Sequence, residues 1–447
     1  MTIFHACDIR GKAETELPTT MVRKIARALG VKLAGRQVVV GGDIRLSTPR
    51  LQQSIVAGLA ESGCKVIDIG TVATPVFYYA IKATQSDGGV MVTASHNPAE
   101  YNGFKFVFGQ EPVSEAEIAE IAALVEADAG TVGAGSVQTL PVIEQYLAAT
   151  AAQAAKGRLR VVLDAGNGAT SNIAPDLYRR LGYDVVELHC QSDGRFPHRP
   201  PNPALAENLL VLGEQVRACG ADLGIGFDGD GDRVGVVDEN GQPVNNDDIL
   251  VLLARSYLEQ TKGTIIYDAK CSMVVPEEII KAGGTPVMAR AGHTFSKAAF
   301  LREKALFAGE ISGHFFFREL GYDDGMFAGL KICEFIDRHG SLSSLIANIP
   351  RYLITPDIRV PYLGPDKEEI LDAAAQALAQ YSVNRIDGVR VEFADGWGMI
   401  RSSVTEPLFT LRFEAKTQER LREITAVLLA SLPSAVQNAV NEKLLQL

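Results

Sequence analysis

Short apolar runs recur along the chain and alternate with stretches of helical periodicity. Val38-Val-Val-Gly-Gly-Asp43 is an apolar run that ends in an acid. A helical stretch follows, then Gly63 and a second run, Val66-Ile-Asp-Ile-Gly70. Arg160-Val-Val-Leu-Asp164 leads likewise to Gly182 and Val185-Val-Glu-Leu188, and Thr264-Ile-Ile-Tyr-Asp268 to Gly283-Gly284 and Pro286-Val-Met288. Strands that alternate with helices at this spacing predict parallel pairing and a doubly wound layout, three times over.

Each unit then carries one more strand that runs into a polar loop. These are Gly89-Val-Met-Val-Thr-Ala-Ser-His-Asn-Pro98, Asp222-Leu-Gly-Ile-Gly-Phe-Asp-Gly-Asp-Gly-Asp-Arg233 and Ala305-Leu-Phe-Ala-Gly-Glu-Ile-Ser-Gly-His314. Open α/β sheets bind ligands beyond the carboxyl ends of their strands, so three such loops are expected to meet at one cleft.

The C-terminal stretch reads differently. Val389–Phe393, Gly398–Arg401 and Leu408–Phe413 are short strand patterns, flanked by helical runs near Lys367–Tyr381 and Gln418–Leu432. The expected fold is α/β: three related doubly wound α/β domains followed by a smaller α+β C-terminal domain, around a central cleft. The divisions fall at residues 1–140, 141–242, 243–354 and 355–447.

Composition narrows the function classes. A chain of 447 residues has room for several domains at roughly 100–200 residues each. A net charge of −11 argues against nucleic acid or an anionic membrane as the main partner, yet leaves room for a small anion held by a local cluster of cations. No apolar run approaches the roughly 18 residues needed to cross a bilayer. The first ten residues lack the basic start and apolar stretch of a signal peptide, so a cytoplasmic protein is expected. Six scattered cysteines show neither a CxxC pair nor metal-ligand spacing and read as small hydrophobes.

Two loops carry candidate chemistry. Asp228, Asp230 and Asp232 alternate with glycines, which crowds three carboxylates onto one tight turn. A hard divalent cation resolves their repulsion. A calcium EF-hand is excluded because Arg233 stands where its sharp turn needs glycine, and because the flanks read as strands. Magnesium, which leaves open positions for phosphate, is the expected metal. In Thr93-Ala-Ser-His-Asn-Pro98, Ser95 stands just past a buried strand; alone, this reads as a turn punctuated by Asn97-Pro98. The chain contains no GxSxG elbow, so a hydrolase of that type has no motif support.

Taken together, Thr93–Pro98, Asp228–Arg233, Gly309–His314 and Arg401–Pro407 resemble the four signature loops of the α-D-phosphohexomutases, in that family's order and over essentially the whole chain. The phosphomannomutase/phosphoglucomutase group is the nearest resemblance. It implies that Ser95 carries a phosphoryl group, with Mg²⁺ held by Ser95, Asp228, Asp230 and Asp232. Arg10 and Lys105 match catalytic positions beside the serine. Glu310 and Ser312 match a loop that grips sugar hydroxyls, to which His314 also belongs. Lys270 and His293 match positions that approach the substrate and its phosphate. Arg233 closes the metal motif and orients aspartates or phosphate. Arg401, Ser402, Ser403 and Thr405 match the loop that holds the non-reacting phosphate. Val404 and Cys7 depart from the family, which commonly has asparagine and tyrosine there.

The activity so implied interconverts hexose 1- and 6-phosphates, of mannose or glucose, through a hexose 1,6-bisphosphate that also serves as activator. Glu310-Ile-Ser312 resembles the mannose/glucose group's Glu-Met-Ser more than the Gln-containing loop of phosphoglucosamine mutases. The alternatives are therefore a phosphoglucosamine mutase, or a phosphatase in which phospho-Ser95 is lost to water.

Overall fold

A computed structural model of the chain describes residues 3–364, 366–403 and 408–444. Among the described residues the strands form four sheets, and the first three share one plan. In the first, Gln37–Gly42 lies between Lys65–Thr71 and Gly88–Val92, parallel to both. Val38 and Val40 pack with Val22, Ile25, Leu29, Ile55 and Leu59 of the helices Thr19–Leu33 and Thr48–Glu61. Val39 points the other way, into a cluster with Val76, Phe77 and Ile81 of the helix Thr74–Thr84. An unbroken apolar run is what a strand covered on both faces requires.

Arg160–Asp164 takes the same central place in the second sheet, parallel to Asp184–Leu188 and Leu223–Phe227. Thr264–Asp268 does so in the third, parallel to Thr285–Ala289 and Phe307–Gly309.

The sheets are not wholly parallel. Gly88–Val92, Leu223–Phe227 and Phe307–Gly309 are each followed by a strand that returns antiparallel beside it: Tyr101–Phe108, Val234–Val237 and Phe315–Phe317. The polar loop between each pair is too short for a crossover, so the chain can only fold back as a hairpin. The first three signature loops thus each sit at the carboxyl end of a parallel strand, pinned on both sides.

One apolar cluster unites the three units. It contains Phe77 and Tyr78 of the first, Leu177 and Phe227 of the second, and Ile249, Phe317 and Met326 of the third. The fourth sheet is antiparallel throughout and has its own core of Val391, Ile400, Phe409, Leu411, Ile424 and Leu428. Its strands Val389–Phe393, Gly396–Ser402 and Leu408–Ala415, with helices Lys367–Ala377 and Gln418–Ala430, match the sequence expectation closely. The edge strands Ile358–Pro361 and Ser382–Asn384 and the helix Ser434–Leu444 were not anticipated.

Candidate active site

Ser95 adopts a left-handed backbone, φ 50°, and is 1% exposed. Its amide donates to Thr93 Oγ1 at 2.9 Å, and its hydroxyl donates to Asp228 Oδ2 at 2.8 Å. The loop around it is held by Arg45, a buried residue that belongs to no motif in the sequence. Arg45 donates to the carbonyls of Ser95, Asn97, Pro98 and Tyr101 at 2.6–2.9 Å and to Asp43 Oδ2 at 3.1 Å. A guanidinium has five N–H donors, and all five are used. Gly229 allows the metal loop to close on the serine loop, because a Cβ there would lie 2.5 Å from the Ser95 carbonyl oxygen.

Beneath Ser95, one oxygen from each of Asp228, Asp230 and Asp232 falls within a 4.8 Å cluster, and all three residues are fully buried. Gly231, at φ 82°, turns the loop so that its own amide and that of Arg233 donate to Asp228 Oδ1 at 2.9 and 3.1 Å. Lys105 pairs with Asp230 Oδ2 at 2.8 Å and with Asp232 Oδ2. Burial and the two neighbouring aspartates push the Asp228 carboxyl well up. Burial opposes ionisation of Asp230 too, but Lys105 outweighs it and holds that carboxyl well down. Burial also disfavours the Lys105 ammonium, and Asp230 and Asp232 overcome this to raise its pKa.

The charge in this cluster is unbalanced. Among the described residues, three aspartates share one ammonium, and Asp230 Oδ1 and Asp232 Oδ1 are buried without a hydrogen-bond partner. An all-oxygen set with two orphaned carboxylate oxygens fits a hard divalent cation.

Above the triad opens a cavity of about 320 Å³. Arg10, Lys105, Arg233, Lys270, His293, Glu310, Ser312, His314, Arg401 and Ser403 all line it with Ser95. The three aspartates lie below its floor. Ser402 faces an adjoining depression with Asp387 and Arg290 instead, and Thr405 and Val404 lie outside the described residues. Among the described residues, six basic side chains of the lining (Lys297 is the sixth) meet three carboxylates, so the cleft attracts anions although the chain as a whole is acidic.

Arg10 donates to Asn97 Oδ1 at 2.8 Å and pairs with Asp8. Lys270 pairs with Asp357 at 2.9 Å, and Arg401 with Asp387 at 2.7 Å. Ser312 Oγ donates to Glu310 Oε2 at 2.8 Å, which leaves Glu310 Oε1 buried and unpartnered, open to a hydroxyl. Burial pushes the Cys7 thiol up to about 11, so that wall is unreactive.

Asp323 is a second residue that the sequence did not reveal. Fully buried, it meets His293 Nε2 at 2.9 Å through Oδ1 and His314 Nδ1 at 2.8 Å through Oδ2. Burial opposes its ionisation, yet the two imidazoles hold its carboxyl well down. The Arg233 Nε–H donates to His314 Nε2 at 2.8 Å. A guanidinium cannot accept, so Nδ1 is the nitrogen that carries hydrogen toward Asp323. Asp268 braces the sugar loop, accepting from the Ile311 amide at 2.9 Å. His96, 3.4 Å from Ser95 Oγ, is kept neutral by Arg233 and by burial.

Serine, carboxylate triad and cation-lined cleft on three repeated α/β units and a fourth domain define the phosphohexomutase class. The chain belongs to the phosphoglucomutase/phosphomannomutase family. Profiles for its alpha/beta/alpha domains I, II and III match residues 1–131, 143–241 and 245–352, and that for its C-terminal domain matches 358–431. A phosphomannomutase/phosphoglucomutase of Pseudomonas syringae pv. tomato is 39% identical over 442 residues, 96% of this chain and 95% of that one. A phosphoglucomutase of Neisseria gonorrhoeae is 38% identical over 436 residues, 94% and 95% of the two. A crystal structure of a phosphoglucomutase/phosphomannomutase family protein from Burkholderia thailandensis superposes with a TM-score of 0.90 at 36% identity, covering 97% of this chain and 99% of that one.

Proposed function

We propose that the chain is an isomerase that interconverts hexose 1-phosphates and hexose 6-phosphates, with mannose or glucose as the sugar, through phospho-Ser95 and a hexose 1,6-bisphosphate. The observation that carries this reading is the Ser95 hydroxyl, set against Asp228 in a cleft that Glu310 and Ser312 also line. Asp228, Asp230, Asp232 and the Ser95 oxygen would hold Mg²⁺, which would supply the positive charge that a doubly charged phosphoserine needs there.

The sugar hydroxyl takes the phosphoryl group from Ser95: the seryl O–P bond breaks, the new O–P bond forms, and the hydroxyl proton passes by way of a basic side chain of the cleft to the departing seryl oxygen. Arg10 and Lys105 steady the transferring oxygens. Glu310 and Ser312 hold sugar hydroxyls, and His314 and His293 face the same sugar. Lys270, Arg401, Ser403 and Thr405 hold the phosphate that does not react, Ser402 stands behind them at the adjoining depression, and Arg233 orients the aspartates or the phosphate. The bisphosphate then turns end over end and returns its other phosphoryl to Ser95. The working unit is the four-domain chain divided near residues 140, 242 and 354. Its six cysteines are free thiols, as suits a cytoplasmic enzyme.

The test supplies mannose or glucose 1-phosphate with Mg²⁺ and a trace of 1,6-bisphosphate. Isomer and inorganic phosphate are followed separately. The 6-phosphate is expected, with label from [³²P]phosphoenzyme passing into bisphosphate and product. Label that appears as inorganic phosphate alone overturns the mutase in favour of a phosphatase.

A further inference from the structure

The reaction leaves Lys297 without a task. It stands one turn beyond His293 on the helix His293–Arg302, is 3% exposed, and lines the cleft. Its Nζ lies 4.2 Å from the centre of the Tyr78 ring, the contact that holds it among the described residues. The other two lysines of the cleft are engaged by carboxylates, Lys105 by Asp230 and Asp232, and Lys270 by Asp357. Among the described residues Lys297 has no such partner.

The groups that face it come from four elements. Asp323 of Tyr322–Asp323 and Glu111 of Glu111–Pro112 favour its ammonium, Lys105 of Tyr101–Phe108 opposes it, and Tyr78 of Thr74–Thr84 offers only its ring. Burial outweighs them all and brings the amine down to about 8. Near pH 7.5 roughly a quarter of the chains therefore carry an unprotonated amine there. Such an amine, kept from bulk water on the wall of an anion-attracting cavity, is a carbonyl nucleophile.

One member of the proposed substrate pair brings a carbonyl with it. A hexose 6-phosphate has a free anomeric carbon, and its ring opens to an aldehyde; the 1-phosphate and the 1,6-bisphosphate are locked closed. We propose that Lys297 is an imine-forming site for phosphorylated aldehydes, open-chain hexose 6-phosphate among them. The Nζ lone pair attacks the carbonyl carbon, whose oxygen takes up a proton to give a carbinolamine. Loss of the remaining N–H proton and of hydroxide, together one water, leaves the C=N bond. No oxidant is needed, and water reverses the step. The adduct blocks the cleft, so the 6-phosphate side inhibits slowly where the 1-phosphate side does not. Only the choice of hexose phosphate rests on the proposed function.

Pyridoxal 5′-phosphate is the probe, followed by borohydride reduction, intact-mass measurement and peptide mapping. About one pyridoxyl group per chain is expected, on Lys297, formed at a rate that rises with pH and is half-maximal near pH 8. Excess inorganic phosphate should protect, and Lys297→Arg should incorporate about tenfold less. Label on Lys105, Lys270 or scattered surface lysines with Lys297 bare overturns the proposal; mapping the wild-type chain decides this even if the variant fails to fold. With cyanoborohydride, glucose 6-phosphate should add to Lys297 and glucose 1-phosphate should not; equal adducts overturn it. The pyridoxal arm needs no mutase activity, so a labelled Lys297 in a chain without isomerase activity defeats the functional reading alone.

Discussion

Ser95 shows how much one residue's surroundings decide. Its left-handed backbone aims the hydroxyl at Asp228, while its amide is held by Thr93. Ser95→Ala should lower kcat by several orders of magnitude with little change in sugar-phosphate binding, because the transferring oxygen itself is gone. Intact mass should show a phosphate on the wild type and none on the variant. Near-normal turnover by the variant would remove Ser95 from the mechanism. Asp230→Asn takes away a carboxylate with an orphaned oxygen and a bond to Lys105, so Mg²⁺ affinity and activity should both fall. Chelation should stop the wild-type enzyme and Mg²⁺ restore it; full turnover in excess chelator would exclude the metal. These residues were legible because their chemistry is written in consecutive positions. Arg45, Asp268 and Asp323 were not, because each meets its partners across a fold: Arg45 reaches carbonyls some fifty residues on, and nothing local marks it.

At the scale of elements, the serine, metal and sugar loops are each a hairpin between a parallel strand and an antiparallel one. The strand-and-helix units could be read from periodicity. The return strands after the serine and sugar loops could not, since only the tightness of a turn decides whether a chain crosses over or folds back. Arg45 is the tie that shapes the serine hairpin. Lysine has three donors for five positions, so Arg45→Lys should lower the unfolding free energy by about 3 kcal/mol in urea, the cost of leaving two buried carbonyls unpaired. An unchanged midpoint would show that the loop holds itself. Asp323 ties the strand Tyr322–Asp323 to both the helix start at His293 and the sugar loop at His314. Asp323→Asn puts a donor where two imidazoles meet acceptors. It should reduce kcat far more than it raises KM, whereas a purely structural loss would move both along with thermal stability.

Over the whole molecule, one apolar cluster fuses three units, and the fourth has a core of its own. The seam to the fourth joins a small apolar contact, Ala269 against Trp397 and Met399, to polar ties: Arg412 donates to the Lys270 carbonyl at 2.6 Å, Arg390 to the Ala269 carbonyl at 2.6 Å, and the Met273 amide to Glu414 at 2.7 Å. Arg401 reaches the cleft from across this seam. Arg401→Ala should raise KM for sugar 1-phosphate by the equivalent of about 1.5–3 kcal/mol, with a smaller effect on phosphorylation of Ser95 by a small donor. An unchanged KM would show that the loop is no phosphate grip.

On the proposed mechanism, cohesion so unevenly distributed makes catalysis a race. After the first transfer the bisphosphate would have to tumble before the seam parts, and each loser of that race would strand an enzyme with bare Ser95. Lys270–Asp357 and Arg290–Asp387, both partly exposed to water, help to keep the seam shut. Salt weakens such pairs, more so where water reaches them. Raising ionic strength should therefore make turnover increasingly dependent on added 1,6-bisphosphate: the enzyme would forget its own intermediate more often, while each transfer remained as fast.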